Sequence, residues 1–446
     1  METQNNFAIG SIPKHIMSIA GPMIVAQLIN VLYNVIDRIY IGRIPHVATL
    51  AMGGLGICLP IISIVMAFAN LFGMGGSPLC SIARGQGKND DAEEIMGNSF
   101  SLLVIFGIIL TIVGFIFKED ILWAFGASKH TISYALDYLS IYLIGTIFVL
   151  VSLGMNSFIN SQGFAKVGMM TVLIGAVLNI ILDLVFITQL NMGVQGAAVA
   201  TVISQGTSVI LCIIYMFKKT PLLLPKKEHF EVDKDLYKEL LGQGFSMGFM
   251  NCIVSAGSVI LQYGINNLGY LIIAGHTAAR KLYMFFNMPF TAMALAISTF
   301  VSQNKGANQK DRIKQALRYA YIYDIVGAMI VTCIILLFGS SLVKLISGSS
   351  KEVVLHNGTL YLTIVGPFYA VLGILMQTRY ALQGIGQKLL PLISSVIEFF
   401  GKIIFVIFLI PRFQYMAVIF CEPVIWCVMT VQLVYSFYHN PYIKNN

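Results

Sequence analysis

Apolar residues run along this chain in long blocks, and polar residues collect at the breaks between them. Stretches such as 102–117 and 326–338 contain no charged residue. They are continuous, without the apolar-polar alternation of the ~10-residue strands in a membrane β-barrel. A helix crosses the bilayer core with ~20 apolar residues. On that measure the pattern predicts twelve helical spans near 15–41, 48–75, 95–117, 131–157, 167–189, 196–217, 240–266, 273–301, 316–339, 356–382, 389–410 and 415–438. The fold class expected is all-α and integral to the membrane.

Composition agrees. Charged residues are 11% of the 446, against ~25% in soluble domains. The hydrophobic set is 57% and mean hydropathy is +0.80. These values exclude a soluble enzyme, a disordered chain and a secreted disulfide scaffold. The 40 glycines and 13 prolines are compatible with membrane helices. All seven cysteines fall in apolar segments and none form a CxxC pair, so no zinc site or disulfide frame is indicated. The opening METQNNFAIGSIPK lacks the basic region and apolar stretch of a cleavable signal.

The net charge of +8 reads as topology rather than as attraction to nucleic acid. With the N-terminus inside, 18 Lys and Arg fall on the cytoplasmic side, 6 on the outside, and 4 (Arg38, Arg280, Lys281, Lys402) within spans. Both termini are therefore expected in the cytosol. Three regions are expected: a bundle over 1–217, a cytoplasmic linker over 218–239, and a second bundle over 240–446. The halves look related. Gly87 and Asn89 pair with Gly306 and Asn308 at an offset of 219. Gly145, Gln162 and Gly163 pair with Gly366, Gln383 and Gly384 at 221. Six spans per half give a parallel repeat about an axis along the membrane normal, as in secondary transporters.

Carboxylates inside spans are costly and need a reason. Here they are Asp37, Asp183, Asp324, Glu398 and Glu422, with Asp137 near the outer mouth of span 4. Asp183 lies 17 residues beyond Lys166, and Thr201 lies 17 residues before Lys218. At ~1.5 Å per residue both sit ~25 Å from the cytoplasmic side. Asp37 lies in the outer part of span 1. Asn179 and Tyr33 sit one turn before Asp183 and Asp37 respectively. These groups can meet at one level as a hard-ligand Na⁺ site or as a carboxyl pair that carries a proton, and residue type alone leaves both open. Glu398 and Lys402 have the i, i+4 spacing of an ion pair, with substrate contact as the other reading. Arg280 and Lys281 are expected to snorkel, and Asp324 to find an interfacial partner near Arg318.

The residues that carry a resemblance are now in place. They are GPMIVAQLINVLYNVIDRIYIG (21–42), ARGQGKNDDA (83–92), INSQG (159–163), LNIILDLVFI (178–187) and GVQGAAVATVISQ (193–205). Over about 14–438 the chain resembles the multidrug and toxic compound extrusion (MATE) family, in its bacterial DinF-like or MepA-like branch. The resemblance implies two six-helix bundles forming a V, and export of amphiphilic or cationic organic compounds in exchange for H⁺ or Na⁺, with no other cofactor. It implies a cation site at Asp37, Asn179, Asp183 and Thr201, with Tyr33 and Tyr138 as hydrogen-bonding neighbours and Pro22 as a hinge in span 1. These four would be the metal ligands if Na⁺ couples. Substrate contacts are expected at Asn30 and Asn156, and in the second half at Gln262, Gln377 and Glu398. Some members carry acids in spans 7, 8 or 10, where this chain has Gln262, Asn287, Gln377 and Arg379. Coupling is therefore expected in the first half.

The reading is a cation-coupled multidrug exporter, monomeric in the bacterial plasma membrane, with small organic substrates and the bilayer as partners. The alternatives are a lipid-linked oligosaccharide flippase of the same superfamily and a channel. A flippase would want more cavity cations than Lys402 and Arg379, and no selectivity-filter element is visible for a channel. An enzyme is not expected, since HExxH, P-loop and Gly-x-Ser-x-Gly patterns do not occur.

Overall fold

A computed structural model gives the fold and describes residues 6–44, 47–219 and 233–444. Among the described residues every regular element is helical. The first half holds α1 (Ile12–Ile41), α2 (Ala48–Gly85), α3 (Asn89–Ala124), α4 (Ile132–Ile144), α5 (Thr146–Ser161), α6 (Ala165–Asp183) and α7 (Gly193–Lys219). The second holds α8 (Lys234–Asn266), α9 (Tyr270–Gly306), α10 (Lys310–Ser347), α11 (Glu352–Val365), α12 (Tyr369–Gly384), α13 (Leu389–Ile404), α14 (Ile410–Phe413), α15 (Tyr415–Tyr438) and α16 (Pro441–Lys444). With α4 and α5 taken as one bent span, twelve segments among the described residues are long and apolar enough to cross a membrane. Side chains such as Leu337, Leu345 and Val431 stand fully outward. An apolar exterior of this extent suits lipid rather than water.

Breaks within spans fall at corresponding glycines of the two halves. α4 and α5 meet at 56° around Gly145. A Cβ there would lie 2.4 Å from Val202 Cγ2 on α7. Its counterpart Gly366 opens a 3₁₀ turn, Gly366–Phe368, whose Pro367 lacks a backbone donor. Two π-helical turns, Leu184–Gln189 and Phe405–Leu409, begin 221 residues apart. The repeat thus extends to its irregularities.

Two pairs of side chain-to-backbone bonds refine the repeat register. Arg84 Nη1 donates to Gln162 O at 2.8 Å, and Lys305 Nζ to Ile385 O at 2.5 Å. Ser81 Oγ donates to Ser161 O at 3.0 Å, and Ser302 Oγ to Gly384 O at 3.1 Å. The left-handed residues that follow these helices are Gly87 and Asn308, then Gly163 and Gly386. Equivalence is therefore 221 between α2 and α9, and 223 between α5 and α12. The pairings of Gly87 with Gly306 and of Gly163 with Gly384 are each two residues out of register. Chance identities beside the true equivalents produced them. Gly306 is the last helical residue of α9, and Asn308 takes the left-handed position, a role Asn tolerates.

The chain packs as two compact units. One runs from Gly21 to Phe245, and the other joins Asn6–Ala20 to the residues from Ser246 onward. The division differs from the boundaries drawn at 217 and 240, for local reasons. In the second unit Arg312 holds the start of the chain: Nη2 donates to Phe7 O at 2.8 Å and Nη1 to Gly10 O at 3.0 Å. Phe7 is buried against Phe300, ring centroids 5.8 Å apart. In the first unit Gly75 and Gly244 let α2 and α8 touch, a Cβ on Gly75 falling 2.9 Å from Gly244 Cα. Residues 220–232 of the expected linker lie outside the described residues, and its last part is already helix from Lys234. Asp233 caps that helix, accepting from the Asp235 and Leu236 N–H groups.

One close approach gives a stability prediction. A Cβ on Gly275 of α9 would lie 2.5 Å from Val354 O and 3.1 Å from Gly358 N, both backbone atoms of α11. Gly275→Ala is expected to cost about 1–3 kcal/mol and lower the midpoint of thermal unfolding in detergent. Gly56→Ala, which meets nothing within 4 Å, serves as the control. Equal midpoints for the two variants would contradict the α9–α11 contact.

Candidate functional site

The first unit gathers six of the expected residues. Asp183 is the last residue of α6, immediately before the π-helical turn. Such turns widen the helix locally and recur at functional positions. Asp183 is fully buried, and Asp37 on α1 is partly exposed. The two carboxyls lie side by side, close enough for a hydrogen bond to pass between them. Such a bond forms only when one of them holds a proton, since an ionised carboxylate only accepts. Oδ1 of each is shielded and has no hydrogen-bond partner. No ion pair to either acid occurs among the described residues, although Arg38 acts on Asp37 through space.

Neutral groups surround the pair. With the Asn179 amide assigned by its hydrogen bonds, its nitrogen donates to Asp183 Oδ2 and its oxygen accepts from Thr201 N–H, both at 3.3 Å. Thr201 Oγ1 donates to Ala197 O at 3.0 Å and contacts the Tyr138 hydroxyl. Tyr33 senses the charge of both acids. Asp137 stands apart, accepting from Gln195 Nε2 at 3.0 Å. Among the described residues no group of three or more His, Cys, Asp or Glu is placed to hold a metal ion. The Asn179 amide oxygen is committed to Thr201 N–H, while the Thr201 hydroxyl donates its one proton to Ala197 O and, like the two carboxyls, keeps lone pairs on its oxygen. This donor set fits a proton with the least rearrangement. Na⁺ would need Asn179 to give up Thr201 N–H and turn its oxygen towards the carboxyls.

The other expected residues lie elsewhere. Pro22 sits inside an unbroken α1, next to the point where the helix passes from one unit to the other. Asn30 is partly exposed on α1, seven residues before Asp37. Asn156 is tied between α5 and α6, donating to Gly168 O at 3.1 Å and Thr171 Oγ1 at 3.0 Å. Gln262 is exposed and bonds Asn266. Gln377 is fully buried and donates to Asp324 Oδ2 at 2.6 Å, so the structure commits it to packing rather than to a surface. The same bond corrects the expectation for Asp324, which is buried inside its unit instead of meeting an interfacial partner. Glu398 pairs with Lys402 Nζ at 2.8 Å, as the i, i+4 spacing predicts.

Arg280 also departs from expectation. It does not snorkel: Nη1 donates to Glu422 Oε2 at 2.5 Å and to the Tyr361 hydroxyl at 3.2 Å, and the guanidinium lies 4.5 Å from the Tyr283 ring centroid. Partners 142 residues apart leave no periodic trace. The available signal was arithmetic: one cation and one acid stranded in spans 8 and 12 of the same half.

Twelve crossing segments in two related units, with acids buried in a lipid-facing bundle, define an integral membrane transporter. Comparison with known proteins makes this specific. The MatE family model matches residues 22–185 and 247–408, one segment in each repeat. The chain is 27% identical over 383 residues to "Multidrug export protein MepA" of Staphylococcus haemolyticus, covering 85% of this chain and 83% of that protein. It is 23% identical over 428 residues to "Probable multidrug resistance protein YoeA" of Bacillus subtilis, covering 94% and 91%. The fold matches a solved outward-facing "multidrug resistance MATE family transporter of the MOP superfamily" with a TM-score of 0.90, at 22% identity and full coverage of both chains. The chain belongs to the MatE family; it is a transporter and not an enzyme.

Proposed function

We propose that this protein exports amphiphilic and cationic organic compounds from the bacterial cell in exchange for protons, with both termini in the cytosol. The observation that carries the reading is the Asp37–Asp183 pair, two neighbouring carboxyls with no ion-pair partner among the described residues. The relatives named as multidrug export and resistance proteins support the substrate class. A proton taken up from the outer side leaves the pair with a single shared negative charge, and loss of that proton leaves two charges in a place that solvates neither well. The occupied and empty pair thus favour different packings of α1 against α6. Drug and proton drive each other only if each binds one conformation better than the other. Pro22 leaves one backbone carbonyl of α1 without its helical partner and is a point where the helix can bend.

The test is drug efflux from proteoliposomes after a pH jump or a Na⁺ jump at constant pH. Efflux is expected to follow the pH jump and ignore Na⁺. A response to Na⁺ alone would move the coupling ion to Na⁺, with Asn179 and Thr201 as added ligands. A response to neither gradient rejects the antiport reading.

A further inference from the structure

The second unit carries a charge imbalance that the carboxyl pair does not explain. Arg379 on α12 and Glu398 and Lys402 on α13 lie in one electrostatic neighbourhood. Lys402 Nζ satisfies Glu398 at 2.8 Å and also donates to Ser258 Oγ at 3.1 Å. Glu398 acts on Arg379 through space, but the Nε and Nη2 atoms of Arg379 are shielded and have no hydrogen-bond partner. Lys402 also faces the charge of Glu422, so this cluster sets three cations, Arg280, Arg379 and Lys402, against two carboxylates, Glu398 and Glu422, and leaves one positive charge over. The other buried guanidinium in this unit is balanced, since Arg280 is filled by Glu422 and Tyr361.

The Nε–Nη2 edge of a guanidinium is a planar fork that takes both oxygens of a carboxylate or phosphate. Arg379 lies on the cytoplasmic side of its span, five residues before α12 ends at Gly384, and a guanidinium edge shielded there calls for a counter-charge. The repeat locates the edge. At the offset of 223 that relates α5 to α12, Arg379 takes the position of Asn156. Asn156 spends its amide between α5 and α6, on Gly168 O and Thr171 Oγ1. The second unit thus places a guanidinium where the first has a satisfied neutral amide. On α13, one turn before Glu398, the Ser395 hydroxyl is likewise buried without a partner.

We propose that Arg379, within the surplus positive charge it shares with Lys402, is a subsite for an anionic group, a carboxylate or phosphate carried on an amphiphile. This rests on the export reading and extends its substrates to zwitterions. The group comes either from a soluble substrate or from a lipid headgroup, and the test separates the two.

Full-length protein is placed in nanodiscs of neutral phosphatidylcholine. Binding of rhodamine 110, which bears a carboxylate, is compared with binding of rhodamine 123, its methyl ester. Wild type is expected to prefer the acid by about tenfold, the scale of one charge-assisted contact. Arg379→Gln is expected to bring the ratio to about 1. Arg379→Lys keeps the charge without the fork and should fall between, and it carries the test if the Gln variant elutes as aggregate. The same titrations in phosphatidylglycerol nanodiscs identify the source. Loss of the wild-type acid preference there, with Arg379→Gln insensitive to lipid, supports the subsite with a headgroup as occupant. An unchanged preference in anionic lipid supports it with a soluble substrate. The proposal is overturned if wild type shows no acid preference in either lipid, or if both variants keep the wild-type ratio. Ester binding by wild type in that event leaves the export reading standing.

Discussion

Asp37→Asn and Asp183→Asn are each expected to lower gradient-driven drug efflux by about 10- to 100-fold, the range of typical coupling energies. The amide keeps the size of the carboxyl and much of its hydrogen bonding, so packing of α1 against α6 should survive. It cannot take up or release the proton that the carboxyl pair shares. Downhill binding of drug to the purified protein should therefore persist while uphill transport fails. Asn179→Ala removes one donor to Asp183 Oδ2 and should have a smaller effect, near the net worth of a single ordinary hydrogen bond, about 0.5–1.5 kcal/mol or at most roughly tenfold. Efflux assays with all three variants in proteoliposomes at matched protein density check the order. Uphill transport retained by both Asp variants would remove the pair from the mechanism.

The second large effect is structural and lies in the other unit. Glu422→Gln should lower thermal stability sharply, because it leaves the Arg280 guanidinium buried against Tyr283 and Tyr361 without a counter-charge. Breaking one side of a buried pair costs about 3–5 kcal/mol in soluble proteins. Replacing both partners with apolar residues, Arg280→Met with Glu422→Leu, should recover most of the loss, because no charge is then stranded. Thermal unfolding in detergent measures both. A double variant no more stable than Glu422→Gln would mean that the network matters for more than charge compensation.

Much of this fold was legible before any coordinates, because lipid enforces a simple rule. Backbone groups in hydrocarbon must be satisfied within the segment, so an apolar block of span length forms a helix. That logic anticipated twelve spans and the Glu398–Lys402 pair, whose partners share one helix. It also placed Asp183, Asn179 and Thr201 at one level, since depth follows from residue counts along straight helices. Distance in sequence set the limits. Arg280 and Glu422, or Asp324 and Gln377, meet only through packing of helices far apart in the chain, and no spacing records that. The compact units divide the chain at other points than the expected bundles for a related reason. Arg312 draws the start of α1 into the second unit through backbone carbonyls of Phe7 and Gly10, which carry no sequence signature. The repeat was visible in matching residues, but its register became clear only from bonds such as Arg84 to Gln162 O and Lys305 to Ile385 O.

The central claim is that the Asp37–Asp183 pair holds the ion that a bound drug displaces. Proton release on adding a cationic drug to purified protein in weakly buffered detergent, followed with a pH indicator, tests it most directly. Wild type is expected to release protons in proportion to drug bound, and Asp37→Asn and Asp183→Asn to bind drug with little or no release. Proton release of the wild-type size from both variants would contradict the account.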